Sequence, residues 1–116
     1  MTQKKKIPKL ARQGDILFLP IDKIPRNTRT LSPAERYIVA EGEATGHHHA
    51  VIHADGLSVH QRGEDRFWLN LSGDNGTLIE HPEHAPITLD AGRYEVRRQR
   101  EYDPSSIGRG FRNVYD

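Results

Sequence analysis

The chain has 116 residues, 34% hydrophobic and 28% charged, with a formal net charge of +1 and no cysteine. That is enough for one domain with its own core, and the mixed charge and retained aromatics exclude a wholly disordered polymer. Without cysteine there are no disulfides, no thiolate metal ligands and no cysteine nucleophile, so any metal site must use imidazole and carboxylate.

The charge is unevenly spread. Residues 1–14 carry five Lys or Arg and no acid, residues 15–92 six bases against twelve acids, and residues 93–116 six against four. No apolar run approaches the roughly 20 residues of a membrane helix and no secretory leader pattern opens the chain, so the expectation is a cytoplasmic protein without a membrane partner.

In chain order, residues 1–13, "MTQKKKIPKLARQ", read as a flexible basic arm, with a single β-rich domain over 14–103 and an irregular tail over 104–116. "DILFLPI" is a strand ended by Pro20, "DKIPRNTRTLSPAE" a long surface connection, and "RYIVAE" a second strand. "HHHAVIH-ADG-LSVHQ" places Asp55-Gly56, suited to a type I′ turn, between two β-prone runs. This predicts a two-residue hairpin that pairs Ala54 with Leu57, His53 with Ser58, Ile52 with Val59, Val51 with His60 and His49 with Arg62. Alternation then gives a polar face of His47, His49, Val51, His53, Ser58 and His60 and a core face of His48, Ala50, Ile52, Ala54, Leu57 and Val59.

"RFWLNL" alternates Phe67, Leu69 and Leu71 against Trp68 and Asn70, and "SGDNG" predicts a hairpin to "TLIEH". "APITL" and "RYEVRRQREY" follow as strands around Asp90-Ala91-Gly92, with Tyr94 and Val96 on one face. Short strands at about ten-residue spacing, with no 3.6-residue period, predict an all-β fold, a small antiparallel β-barrel or sandwich.

Seven histidines are many for this length, and four fall within residues 47–53. Neutral imidazole is a common ligand, and His47 and His49, two apart on a strand, share a side. "HPEH" adds His81, Glu83 and His84 at a proline turn. The expected metal ligands are therefore His47, His49, His81 and His84, for Zn²⁺, Ni²⁺ or Fe²⁺, provided the two segments are neighbours. Glu43, Glu80 and Glu83 are candidate bases if the site is catalytic. The bland alternative is a histidine-rich outward face and an ordinary turn. His48 is expected to be a satisfied buried histidine, and His53 and His60 to be exposed near the hairpin tip.

A second feature is "RRQREYDP". Arg97, Arg98 and Arg100 project from both strand faces and could grip phosphate or pair with carboxylates. Together with the lysine arm they give an alternative function, a non-enzymatic phage or mobile-element accessory module that binds nucleic acid or a protein partner. A third is self-association through strand edges. No P-loop, dinucleotide fingerprint, HExxH or nucleophile elbow is present.

"GEATGHHH" followed by His53 resembles the first cupin motif, which implies a β-barrel using HxH as half of a metal site. Gly42 lies one residue too close to the pair, His53 stands where that motif has its acidic ligand, and the second cupin motif is absent. More of the chain, "QGDILFLPIDKIP", "AEGEATGHHHAV", "HPEHAPITLDAGRYEVRRQREYDP" and "RNVYD", resembles a group of small bacterial and phage-associated proteins of unknown function. That resemblance draws attention to Gly46, His47, His49, His84 and "RQREYDP" and implies no reaction.

Overall fold

The computed structural model describes residues 9–41, 47–73 and 76–99. Most of the basic arm, Glu43, Gly46, Arg100 and the tail 104–116 lie outside the described residues. The strands are β1 (Ala11–Gln13), β2 (Ile16–Pro20), β3 (Arg29–Thr30), β4 (Arg36–Glu41), β5 (His48–Ile52), β6 (Leu57–Arg62), β7 (Arg66–Leu71), β8 (Thr77–Glu80), β9 (Ile87–Leu89) and β10 (Gly92–Arg98). No helix occurs among the described residues, so none is long and apolar enough to cross a membrane.

The expected all-β class is what the chain adopts, as two antiparallel sheets. One runs β1-β2-β10-β7-β6-β3 and the other β4-β5-β8-β9. Both contribute to a single core: Ile16, Phe18, Leu57, Val59, Phe67, Leu69, Leu71 and Tyr94 from the first, and Tyr37, Val39, Val51, Ile79 and Leu89 from the second. At about 1.5–3 kcal/mol per buried large side chain, this interface is the main source of stability. Tyr94 is fully buried because its Oη donates to the Asp90 carbonyl at 2.7 Å, which satisfies the hydroxyl, and burial raises its pKa. Trp68 is buried on the opposite side of β7, where the guanidinium carbons of Arg62 and Arg66 lie 5.2 and 5.1 Å from its ring.

The predicted hairpin between β5 and β6 does not form. β5 pairs with β4 and β8, whereas β6 pairs with β7 and β3. A strand has only two edges, and both edges of β5 are taken. Asp55-Gly56 still turns, with Leu57 N–H donating to Ala54 C=O at 3.1 Å, but it carries the chain from one sheet to the other. Gly56, at φ 84°, also receives Ser72 N–H on its carbonyl at 3.0 Å; a Cβ there would lie 2.4 Å from the Ser72 oxygen. "SGDNG" likewise makes no β7–β8 hairpin, because β8 belongs to the other sheet.

The face assignment on β5 is therefore exchanged. Val51 is in the core and His49 shares its face, so the side expected to be polar points inward. His48 is half-buried, not a satisfied core histidine: its Nδ1 is buried and has no hydrogen-bond partner. On β6 and β7 the expected inward residues, Leu57, Val59, Phe67, Leu69 and Leu71, are indeed inward. The sheet also begins within the stretch read as arm: β1 pairs with β2 through the two-residue turn Gly14-Asp15, and Gln13 is buried.

Candidate metal centre

The register of the second sheet builds the site. Ala50 pairs with Glu80 and Val51 with Ile79, so one antiparallel step further sets His49 opposite His81. β8 ends at Glu80, and residues 81–86 turn back towards β9, which folds His84 over the same spot. The two histidine segments meet. Ring centroids are 4.4 Å apart for His49 and His81, 4.5 Å for His81 and His84, 5.6 Å for His47 and His81, and 6.2 Å for His49 and His84.

Imidazoles that share one metal through Nε2, at about 2.0–2.1 Å each, have centroids roughly 5 Å apart. The observed spacings bracket that value. His47 Nε2 is 3.6 Å from Glu83 Oε1, close to the roughly 3.3 Å between neighbouring ligand atoms of a tetrahedral site. Even so, among the described residues no group of three or more His, Asp or Glu side chains is placed to hold a metal ion as it stands. The rings are gathered, and their donor atoms do not yet point at one place.

His49 is the fixed member. It is 1% exposed, and its Nδ1 lies 2.9 Å from Gln13 Oε1. The Gln13 amide cannot be reversed, because its Nε2 donates to the carbonyls of Ile79 and Ala85 at 2.9 and 3.0 Å. Oε1 only accepts, so His49 carries its proton on Nδ1 and leaves Nε2 as a free lone pair. A buried side chain that orients an imidazole in this way is the usual support of a metal-ligating histidine. Burial lowers the His49 pKa to about 4, and the positive ends of His81, His84 and Arg98 act in the same direction against Asp15, so the ring is neutral at pH 7.

His81 is lowered too, first by desolvation and then by His84 and His47. Its Nδ1 accepts the backbone N–H groups of Glu83 and His84, at 3.0 and 3.3 Å. His84 is exposed, and its ring edge lies over Gly14, where a Cβ would come 2.7 Å from Nε2. Because Gly14 is also left-handed at φ 60°, Gly14→Ala is expected to cost about 1–2 kcal/mol in urea denaturation and to displace His84. An unchanged midpoint would contradict this.

The other candidates lie elsewhere. Glu80 pairs with Arg36 at 3.2 Å, Glu80 facing away from the imidazoles. His53 is exposed, as expected, and lies in reach of Tyr37 Oη at 3.4 Å. His60, expected to be exposed, is half-buried between Thr30 Oγ1 and Ser58 Oγ, at 3.1 and 2.9 Å, and burial lowers its pKa. Arg97 Nε pairs with Glu95 at 3.3 Å while its Nη1 is buried without a hydrogen-bond partner, and Arg98 pairs with Asp15 at 2.5 Å and with the Glu41 carbonyl. Gln13, Gly14 and Asp15 were not among the expected site residues; the Gly-Asp dipeptide between β-prone residues was the one signal for the turn that places them.

Fold and cluster together define an all-β, two-sheet protein with four imidazoles at one end of its smaller sheet. Residues 12–99 match the family model described as a domain of unknown function, DUF8820, and the chain belongs to that family. No curated protein and no solved structure matches it. Membership assigns no reaction.

Proposed function

We propose that the protein binds a divalent transition metal, Zn²⁺, Ni²⁺ or Fe²⁺, at the end of its smaller sheet, with ligands drawn from His47, His49, His81 and His84. The observation that carries this reading is Gln13: a buried amide, itself fully hydrogen-bonded, holds His49 in one tautomer with Nε2 free beside three further histidines. Neutral borderline nitrogen donors without thiolate suit these three metals better than Mg²⁺ or Ca²⁺. Of the neighbouring histidines, His84 is exposed, whereas His81 is half-buried with its Nδ1 accepting the backbone N–H groups of Glu83 and His84, so closure of a metal site asks most of the His84 and His47 side chains.

Untagged protein is expected to bind Zn²⁺ or Ni²⁺ near one equivalent. Saturating metal should raise the melting temperature by several degrees, because binding to the folded state alone stabilises it. His47→Ala with His49→Ala should abolish the shift while leaving the circular-dichroism spectrum of the fold in place. If elemental analysis and titration find no binding, or if the double variant binds equally well, the proposal fails.

A further inference from the structure

The smaller sheet has a second face, turned away from the core. Tyr37, Val39, Val51 and Ile79 point inward, so alternation sends Arg36 and Ile38 on β4, Ala50 and Ile52 on β5, and Leu78 and Glu80 on β8 to the other side. Register orders these six side chains in two rows. Arg36 pairs with Ile52, and one antiparallel step sets Ile52 beside Leu78; Ile38 pairs with Ala50, and Ala50 with Glu80. Of the three large apolar side chains exposed among the described residues, two are here, Ile38 at 49% and Leu78 at 41%. The larger sheet differs. Its outward Trp68 is buried, and the 21–28 connection runs along that side, held by Arg93 to the Asp22 carbonyl and by Arg62 to the carbonyls of Arg26 and Asn27.

We infer that this face is the contact of a homodimer, in which the smaller sheets of two copies pack face to face. The two rows are self-complementary: Ile38 and Leu78 occupy one diagonal of the patch, and Arg36 and Glu80 the other. A twofold axis laid in the plane of the sheet along the apolar diagonal sets Ile38 against Ile38 and Leu78 against Leu78 of the second copy, and brings Arg36 of each copy to Glu80 of the other. The strands of the two copies then cross steeply, as in orthogonally packed sheets. Within one chain Arg36 and Glu80 already pair at 3.2 Å, with side chains 59% and 44% exposed; such a solvent-screened contact is weak, so exchanging it between copies loses little. The patch is small beside the roughly 800 Å² per partner of a standard interface, which makes the dimer weak and concentration-dependent. The inference is independent of the metal reading, whose histidines lie towards the other face.

Sedimentation equilibrium of the untagged full chain, over about 10 μM to about 1 mM, spans the dissociation constants of weak complexes and tests the contact. The wild type should pass from one chain towards two across that range. Ile38→Lys and Leu78→Lys should each weaken association at least about tenfold, because each sets two like charges against one another across the axis. Both side chains point into solvent, so the fold, checked by urea denaturation, should be retained. The charged pair supplies the sharper arm. Arg36→Glu makes both corners acidic and Glu80→Arg makes both basic; either variant alone should associate at least about tenfold more weakly than wild type, and an equimolar mixture of the two should recover a mixed dimer. A wild type that stays a single chain at about 1 mM, association unchanged by both lysine substitutions, or a mixture of the charge variants that fails to associate overturns the inference.

Discussion

Replacing Gln13 by alanine is expected to destabilise the protein by about 3 kcal/mol and to weaken metal binding by roughly 10–100-fold. Three buried or part-buried partners depend on this one amide: His49 Nδ1, the Ile79 carbonyl and the Ala85 carbonyl. Each loses its Gln13 partner, and a buried polar group left unpaired, as His49 Nδ1 would be, costs more than the bond itself was worth. The effect reaches beyond β1, because Gln13 joins the first sheet to β8 and to the turn after it. Gln13→Glu separates the contributions. Its carboxylate can still accept from His49, but it cannot donate to either carbonyl, so it should recover the tautomer of His49 and little of the stability. Urea denaturation and Zn²⁺ titration of the two variants check both expectations. A cost below about 0.5 kcal/mol for Gln13→Ala would remove Gln13 from its supporting role.

The second large effect is on acid stability. His49 has a folded pKa near 4 against 6.5 when unfolded, so below pH 6.5 the unfolded chain binds a proton that the native protein refuses. The stabilisation is complete above pH 6.5 and is lost as the pH falls towards 4. Solvent screening discounts the shift, so the loss across that window stays below roughly 3 kcal/mol. The lowered pKa values of His81 and His60 act in the same direction. Carboxylates titrate over part of the range, so the test is a difference. His49→Asn keeps a side-chain N–H for Gln13 and has no titration; measured with chelator present, its unfolding free energy should fall less between pH 7 and 4.5 than that of wild type. Parallel pH dependences would contradict the argument.

Particular residues show where sequence reasoning reached and where it stopped. The inward alternation of Phe67, Leu69 and Leu71 was readable because period 2 with large apolar side chains has one economical solution, a strand with one face in a core. On β5 the same rule gave the wrong sign. His49 with Val51 and His48 with Ala50 differ too little in hydrophobicity to decide which pair faces inward, and the answer came from β4 and β8, which occupy the two edges of β5 and set its tilt towards Tyr37 and Ile79. The Asp-Gly dipeptide specified a turn and not the partner of the strand beyond it, since a tight turn can lead along one sheet or across to another.

By itself the sequence determined the all-β class, most of the strands, the inventory of nitrogen ligands and the lack of thiolates, because these follow from composition and local period. It also named the two histidine segments whose meeting mattered. Only the tertiary structure decided that they meet, through the Ala50–Glu80 register that sets His49 against His81. Gln13, 36 residues from His49 in the chain, likewise becomes its hydrogen-bond partner only when the two sheets close over one core. Register and sheet-to-sheet packing are long-range properties. They are fixed by the burial of many side chains at once, and no local stretch of the chain contains them.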